Sequence, residues 1–136
     1  MTPSTLKYYI ALQPKIREAM GPWKVRDFGY VEGLGIGILH SNGIMYFDSG
    51  TAINPEYCKD IIRIPLTCDD SSEEARKRSL WGMIDWSKTA IHNRQLTEEV
   101  VVCYYGNEGQ APVVSIGNLT DALLLALCAQ WGVEVE

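Results

Sequence analysis

Paired cysteines, an excess of positive charge and long apolar runs are all missing from this chain, and each absence narrows what it does. Four cysteines occur in 136 residues. They stand at Cys58, Cys68, Cys103 and Cys128, with no two at the Cys-x-x-Cys spacing that zinc sites and redox dithiols use. No metal and no other cofactor is implied, and the thiols read as the reduced cysteines of a cytosolic protein, with Cys103 and Cys128 as small apolar core residues. The formal charge of -5 is spread without an acidic tail. Attraction to phosphate backbones or anionic lipid is disfavoured, so nucleic acid is not expected as a general partner. The longest apolar stretch, 122–129, is too short to span a bilayer, and the opening Met-Thr-Pro-Ser-Thr-Leu-Lys-Tyr-Tyr lacks the basic start and apolar core of a secretory signal. Repeats, linkers and low-complexity tracts are absent too. With 46% hydrophobic and 21% charged residues, the expectation is a single domain over 1–136.

What is present begins with Leu6, Tyr9, Ile10, Ile16 and Met20, which recur near helical spacing after Pro3 and Ser4 or Thr5. Pro14 removes a donor in mid-segment, which predicts a helix kinked or broken near Gln13 and ended by Gly21-Pro22. Ser41-Asn42-Gly43-Ile44 is the strongest hairpin signal, because Asn and Gly accept the positive angles of a type I′ turn. It pairs 36–40 with 44–48. Gly33, Gly35 and Gly37 then share one side of the first of these strands and leave it open to a bulge or to another backbone. A phosphate loop is not supported there, since no helix start and no Lys-Ser/Thr follow. Residues 61–66 predict a third strand closed by Pro65, and Ser71-Ser72-Glu73-Glu74 opens a helix through Arg78 towards Met83. Residues 100–105 and 113–116 are β-rich and are joined by Gly106-Asn107-Glu108-Gly109. Asn118 with Asp121 then caps a last helix, whose stripe of Leu119, Ala122, Leu123, Ala126, Leu127 and Trp131 ends at Gly132. The fold expected is α+β: a mainly antiparallel sheet of about five strands packed by the N-terminal and C-terminal helices, with the 72–83 helix inserted.

Three groups of residues invite a functional reading. Met45-Tyr46-Phe47-Asp48-Ser49-Gly50-Thr51 resembles the active-site turn of aspartic proteases, in which two aspartates share a proton and activate water. Small retroviral-type members obtain the second aspartate by dimerising, and their later apolar-apolar-Gly-Arg-Asn/Asp element is echoed by Val114-Ser115-Ile116-Gly117-Asn118-Leu119. The resemblance implies Asp48 as a catalytic residue of a dimer. Against it, the arginine after Gly117 is missing, Ser115 takes an apolar position and no glycine-rich flap intervenes; Asp-Ser-Gly also turns chains in general. His40 and His92 read as surface histidines, because sequence supplies no third group to orient either against Cys58 or Cys68. Four tryptophans exceed what one core of this size needs. Trp131 belongs to the last helix and Trp23 closes the first helix onto the sheet. Trp81 and Trp86, in a Gly- and Asp-containing segment, are candidate anchors for a partner. Arg76 and Arg78 beside them are candidate directed donors; the alternatives are packing of the segment onto the sheet and a solvated charged helix face.

The Ile64-Pro65 strand end, Leu80-Trp81-Gly82-Met83 and the Leu-rich close Ala122-Leu123-Leu124-Leu125-Ala126-Leu127 with Gly132-Val133-Glu134-Val135 resemble segments of small uncharacterised proteins of tailed phages and prophages. The resemblance covers roughly the second half of the chain. It implies an α/β sandwich with terminal helices on a central sheet, and an accessory protein in the cytoplasm of a bacterial host that binds a host protein without catalysis. The alternative partner it implies is a small host ligand such as a nucleotide signal. It carries no catalytic residues to transfer.

Whatever the function, the last helix should be structural. Leu123→Ala is expected to cost roughly 2–5 kcal/mol in chemical denaturation, and a loss below about 0.5 kcal/mol would place that stripe on the surface.

Overall fold

The computed structural model describes residues 1–94, 98–106 and 109–135. Four helices and eight strands form an α+β fold among them. The chain divides into two compact units, one of residues 1–12 and 67–136 and one of residues 13–66. Among the described residues no helix is long and apolar enough to cross a membrane.

Helix α1 (Pro3–Met20) gives residues 3–12 to the first unit and residues 13–20 to the second. Its cap is Thr2, ahead of Ser4 and Thr5: the Thr2 hydroxyl accepts from the Thr5 N–H at 3.2 Å and its carbonyl accepts from Leu6, and Pro3 sits where its missing donor costs nothing. Of the kink or break expected near Gln13, the break does not occur. Pro14 lies on the exposed face, as does Ile10, so the Ile10 carbonyl that Pro14 cannot serve is open to water. Ile10, at 50% exposure, is not part of the buried stripe, which runs through Thr5, Tyr9, Leu12, Gln13, Ile16 and Met20. Gly21, at φ +71, ends the helix.

In the 13–66 unit, five antiparallel strands lie in the order β4-β3-β2-β1-β5: β1 (Phe28–Val31), β2 (Gly35–Leu39), β3 (Met45–Phe47), β4 (Ala52–Ile53) and β5 (Ile62–Arg63). The β2–β3 register places Leu39 opposite Met45 and Gly37 opposite Phe47, the pairing expected from sequence. The turn is not a two-residue type I′ turn. Gly43 N–H donates to the His40 carbonyl at 3.0 Å and Gly43 alone takes a positive angle, the three-residue solution with the left-handed glycine last. Asn42 spends its side chain on the Ile44 N–H and the Tyr46 hydroxyl. Near the start of β1, Arg26 (φ 75) and Asp27 together face Leu39, whose backbone bonds to both, a bulge held at an angle that non-glycine residues seldom adopt.

The glycines are not an open face. Gly33 belongs to the β1–β2 turn, while Gly29 and Gly37 pair directly across the strands and turn their missing side chains inward. A Cβ on Gly37 would lie 2.8 Å from both Met45 Cγ and Phe47 Cδ1, and one on Gly29 would overlap Ile61. Met45, Phe47 and Ile61 therefore sink onto bare backbone and with Leu39 form this unit's core, with Trp23, Val31, Leu34, Ile53 and Cys58 around them. Arg63 closes the edge. Its guanidinium stacks over Trp23 at 4.2 Å and donates to the Gly21 carbonyl, a cation at the negative end of α1. Gln13 stands in for a further strand, accepting from Arg63 N–H at 2.8 Å and donating to its carbonyl at 2.9 Å.

In the other unit the late strands do not join that sheet. β6 (Thr89–Asn93), β7 (Val100–Tyr104) and β8 (Val113–Gly117) form a separate antiparallel sheet, because the polar 89–93 segment, not read as a strand from sequence, is the partner β7 takes. The expected 106–109 loop includes residues 107 and 108, which lie outside the described residues. Helix α4 (Leu119–Trp131) packs on β7 and β8. Asn118 caps it, its side chain accepting from Asp121 N–H, and left-handed Gly132 ends it; Ala122, Leu123, Leu124, Ala126, Leu127 and Cys128 are buried. The Thr5 hydroxyl donates to Asp121 at 2.7 Å, and burial with Asp121 nearby pushes the Tyr9 phenol up to about 12.

The glycine pair yields a direct test. Gly37→Ala forces Met45 or Phe47 off its position, so it should destabilise by about 1–3 kcal/mol, although alanine is otherwise the better strand residue; an unchanged urea midpoint would contradict the packing.

Candidate functional site

The helix expected over 72–83 is not continuous. Helix α2 (Glu73–Lys77) is capped by Ser72, whose hydroxyl accepts from Ala75 N–H, and ends at Arg78; α3 (Leu80–Met83) starts afresh with Ser79 as its cap. Ser79 is almost wholly buried. Its hydroxyl donates to the Arg76 carbonyl at 2.6 Å and accepts from Gly82 N–H at 3.2 Å. Gly82 lies so close to that carbonyl that any Cβ would overlap it. A bonded elbow thus replaces one helical turn and sends Leu80 into the core while Trp81 stays half-buried.

The elbow is fastened on three sides. Trp81 N–H donates to the Thr67 carbonyl, and the Thr67 and Thr120 hydroxyls bond. Gln130 of α4 accepts from Asp85 N–H at 2.8 Å and donates to the Met83 carbonyl at 3.0 Å. Asp85 then makes a turn with its carboxylate accepting from both the hydroxyl and the N–H of Ser87, which hold that carboxyl below the usual range. Lys88 N–H bonds to the Asp85 carbonyl and Tyr105 N–H to that of Lys88.

Trp86 sits inside this turn. Its indole Nε1–H donates to the Trp81 carbonyl at 2.9 Å, and the two rings touch at 4.5 Å between centroids with 37° between planes. Both are half-buried. The sequence-predicted Trp81 and Trp86 are therefore brought together, and Arg76, exposed, and Arg78, half-buried, occupy the last turn and the C-cap of the helix leading into their elbow. The Trp86 N–H is satisfied internally, so that residue offers ring surface without an unpaired donor.

Asp48, in the 13–66 unit, is exposed in the turn between β3 and β4. The bonds from Gly50 N–H to the Phe47 carbonyl and from Phe47 N–H to that of Thr51 account for Asp48-Ser49-Gly50 as a tight reversal. The segment 114–119 belongs to the other unit, as β8 and the start of α4. His40 and His92 are both exposed, and His40 stacks edge-on against Tyr46.

Sequence reading missed two apolar sheet faces, half-buried to exposed. In the 13–66 unit the register puts Phe28, Tyr30, Ile36, Ile38, Tyr46 and Ile62 on the side opposite the core. In the other unit it puts Ala90, Val101, Cys103, Val114 and Ile116 on the side away from the buried Val102 and Ser115. One signal was available for the second: Val100-Val101-Val102-Cys103-Tyr104-Tyr105 is apolar at successive positions, the pattern of a strand that wants cover on both faces.

The chain matches no protein-family model, and no curated protein and no solved structure matches it.

If the elbow positions the tryptophans, Gly82→Ala must displace the Arg76 carbonyl and part the rings. The expected result is loss of the exciton-coupled circular dichroism of the Trp81–Trp86 pair together with at least about 1–3 kcal/mol of stability. Retention of both would show that the elbow does not depend on this close approach.

Proposed function

We propose that this chain is a non-enzymatic binding protein, of the phage or prophage accessory kind that its Leu-Trp-Gly-Met segment and Leu-rich close resemble, and that it captures a host protein in the bacterial cytoplasm through Trp81 and Trp86. The observation that supports this reading is a pair of half-exposed tryptophans, bonded to each other and set in a fastened elbow. Ordering side chains costs about 0.5–1.5 kcal/mol each on association, and here that cost falls on folding instead. Tryptophan and arginine are also the residues that dominate protein interfaces, and Arg76 lies in the adjoining helix with Arg78 as its C-cap. A surface of rings, carbonyls and guanidinium groups supplies contact area and directed hydrogen bonds, not a nucleophile paired with a base.

The test begins with capture on the immobilised chain from host lysate, identification of the retained protein, and titration of that purified protein. Trp86→Ala should raise its Kd about thirtyfold or more, the range of a hot-spot residue, with a melting temperature lowered by only a few degrees because the ring is half exposed. An unchanged Kd with the fold intact rejects this surface. A gross loss of fold makes Trp86 a core residue and equally rejects it.

A further inference from the structure

We infer that strand β8 pairs with β8 of a second copy of this chain, making a two-fold dimer with a continuous six-stranded sheet. The inference stands apart from the tryptophan surface. β8 has β7 on one side only, and among the described residues the backbone groups of its other edge have no partner. Such an edge is complementary to one thing, another extended strand.

Soluble proteins guard edges of this kind with lysine, inward-pointing charge, bulges or proline within the strand. Val113-Val114-Ser115-Ile116-Gly117 has none of these. Its side chains are instead apolar and open, with Val113 at 47%, Val114 at 52% and Ile116 at 47% exposure.

Self-complementarity selects the occupant. Antiparallel pairing about Ser115 sets Val114 against Ile116 of the second copy and Ile116 against its Val114, so two apolar pairs form on the uncovered face. Val113 then meets Gly117 of the other copy, a large side chain against none, and the small Ser115 lies on the axis. Charge agrees with this register. The chain carries -5 overall, yet residues 109–118 contain no charged side chain. Asp121, packed near Gly117, falls at the opposite end of the seam from its own copy. Like charges that would oppose association elsewhere are kept apart here.

The test uses the full chain in sedimentation equilibrium with charge variants at exposed positions. Wild type should have twice the chain mass at about 100 µM. Val114→Lys/Ile116→Lys sets like charges face to face twice and should raise the dissociation constant about a hundredfold or more. Val114→Lys/Ile116→Glu sets opposite charges together in the same register and should restore most of the association, with circular dichroism melts of both variants near wild type. A wild-type monomer, a dimer indifferent to the double lysine change, or equal loss in both variants would overturn the proposal. Should the variants misfold, hydrogen exchange decides with wild type alone: the outward amides of Val113–Gly117 must be protected at high concentration and lose that protection on dilution.

Discussion

The Arg76 carbonyl is the point on which the candidate surface turns. It accepts from both the N–H and the hydroxyl of Ser79 and lies against the bare Cα of Gly82. A buried serine hydroxyl left unbonded would cost on the order of 1–3 kcal/mol, and here both its donor and its acceptor are used. Because the elbow closes there, Leu80 and Ile84 reach the core while Trp81 and, beyond the Asp85 turn, Trp86 remain at the surface. Gln130 completes the arrangement by bonding to backbone on both sides of Ile84. The ring pair is thus the visible end of a backbone construction fixed to the principal helix of its unit.

Close approach to glycine recurs in the 13–66 unit, with the opposite effect. There the Gly29–Gly37 pair lets Met45, Phe47 and Ile61 settle onto the sheet, which draws the apolar residues of one face inward. The other face keeps Phe28, Tyr30, Ile36, Ile38, Tyr46 and Ile62. Apolar residues on both sides of a thin sheet are unusual where only one side has cover; on this face Ile38 and Tyr46 are exposed and the others half-buried. Both units follow this pattern.

Local signals were legible in the sequence. Asn118 and Gly132 as the ends of the last helix, Ser72 as a cap, and the Asn42-Gly43 reversal with its register all depend on a few neighbouring residues, and all are found. What sequence missed depends on partners far along the chain. Phe28-Gly29-Tyr30-Val31 looks weak as a strand because Gly29 makes sense only opposite Gly37. Thr89-Ala90-Ile91-His92-Asn93 is too polar to read as a strand until β7 is beside it. Ser79 inside a helical pattern looks like an exposed polar residue, and its burial follows from the Arg76 carbonyl and Gly82. Pro14 suggested a break because sequence does not show that its face of the helix meets solvent. For the candidate surface, residue types singled out Trp81 and Trp86, but their mutual contact and the Gln130 clamp were invisible.

The tryptophan pair is held in place by its own contacts in the free protein. The decisive measurement is ¹⁵N relaxation of the indole N–H groups. With the Trp86 N–H on the Trp81 carbonyl and the rings in contact, its order parameter should match rigid backbone, at about 0.85. A value below about 0.6 for the Trp86 indole, with the surrounding backbone rigid, would mean that the ring moves freely and that no preformed surface exists.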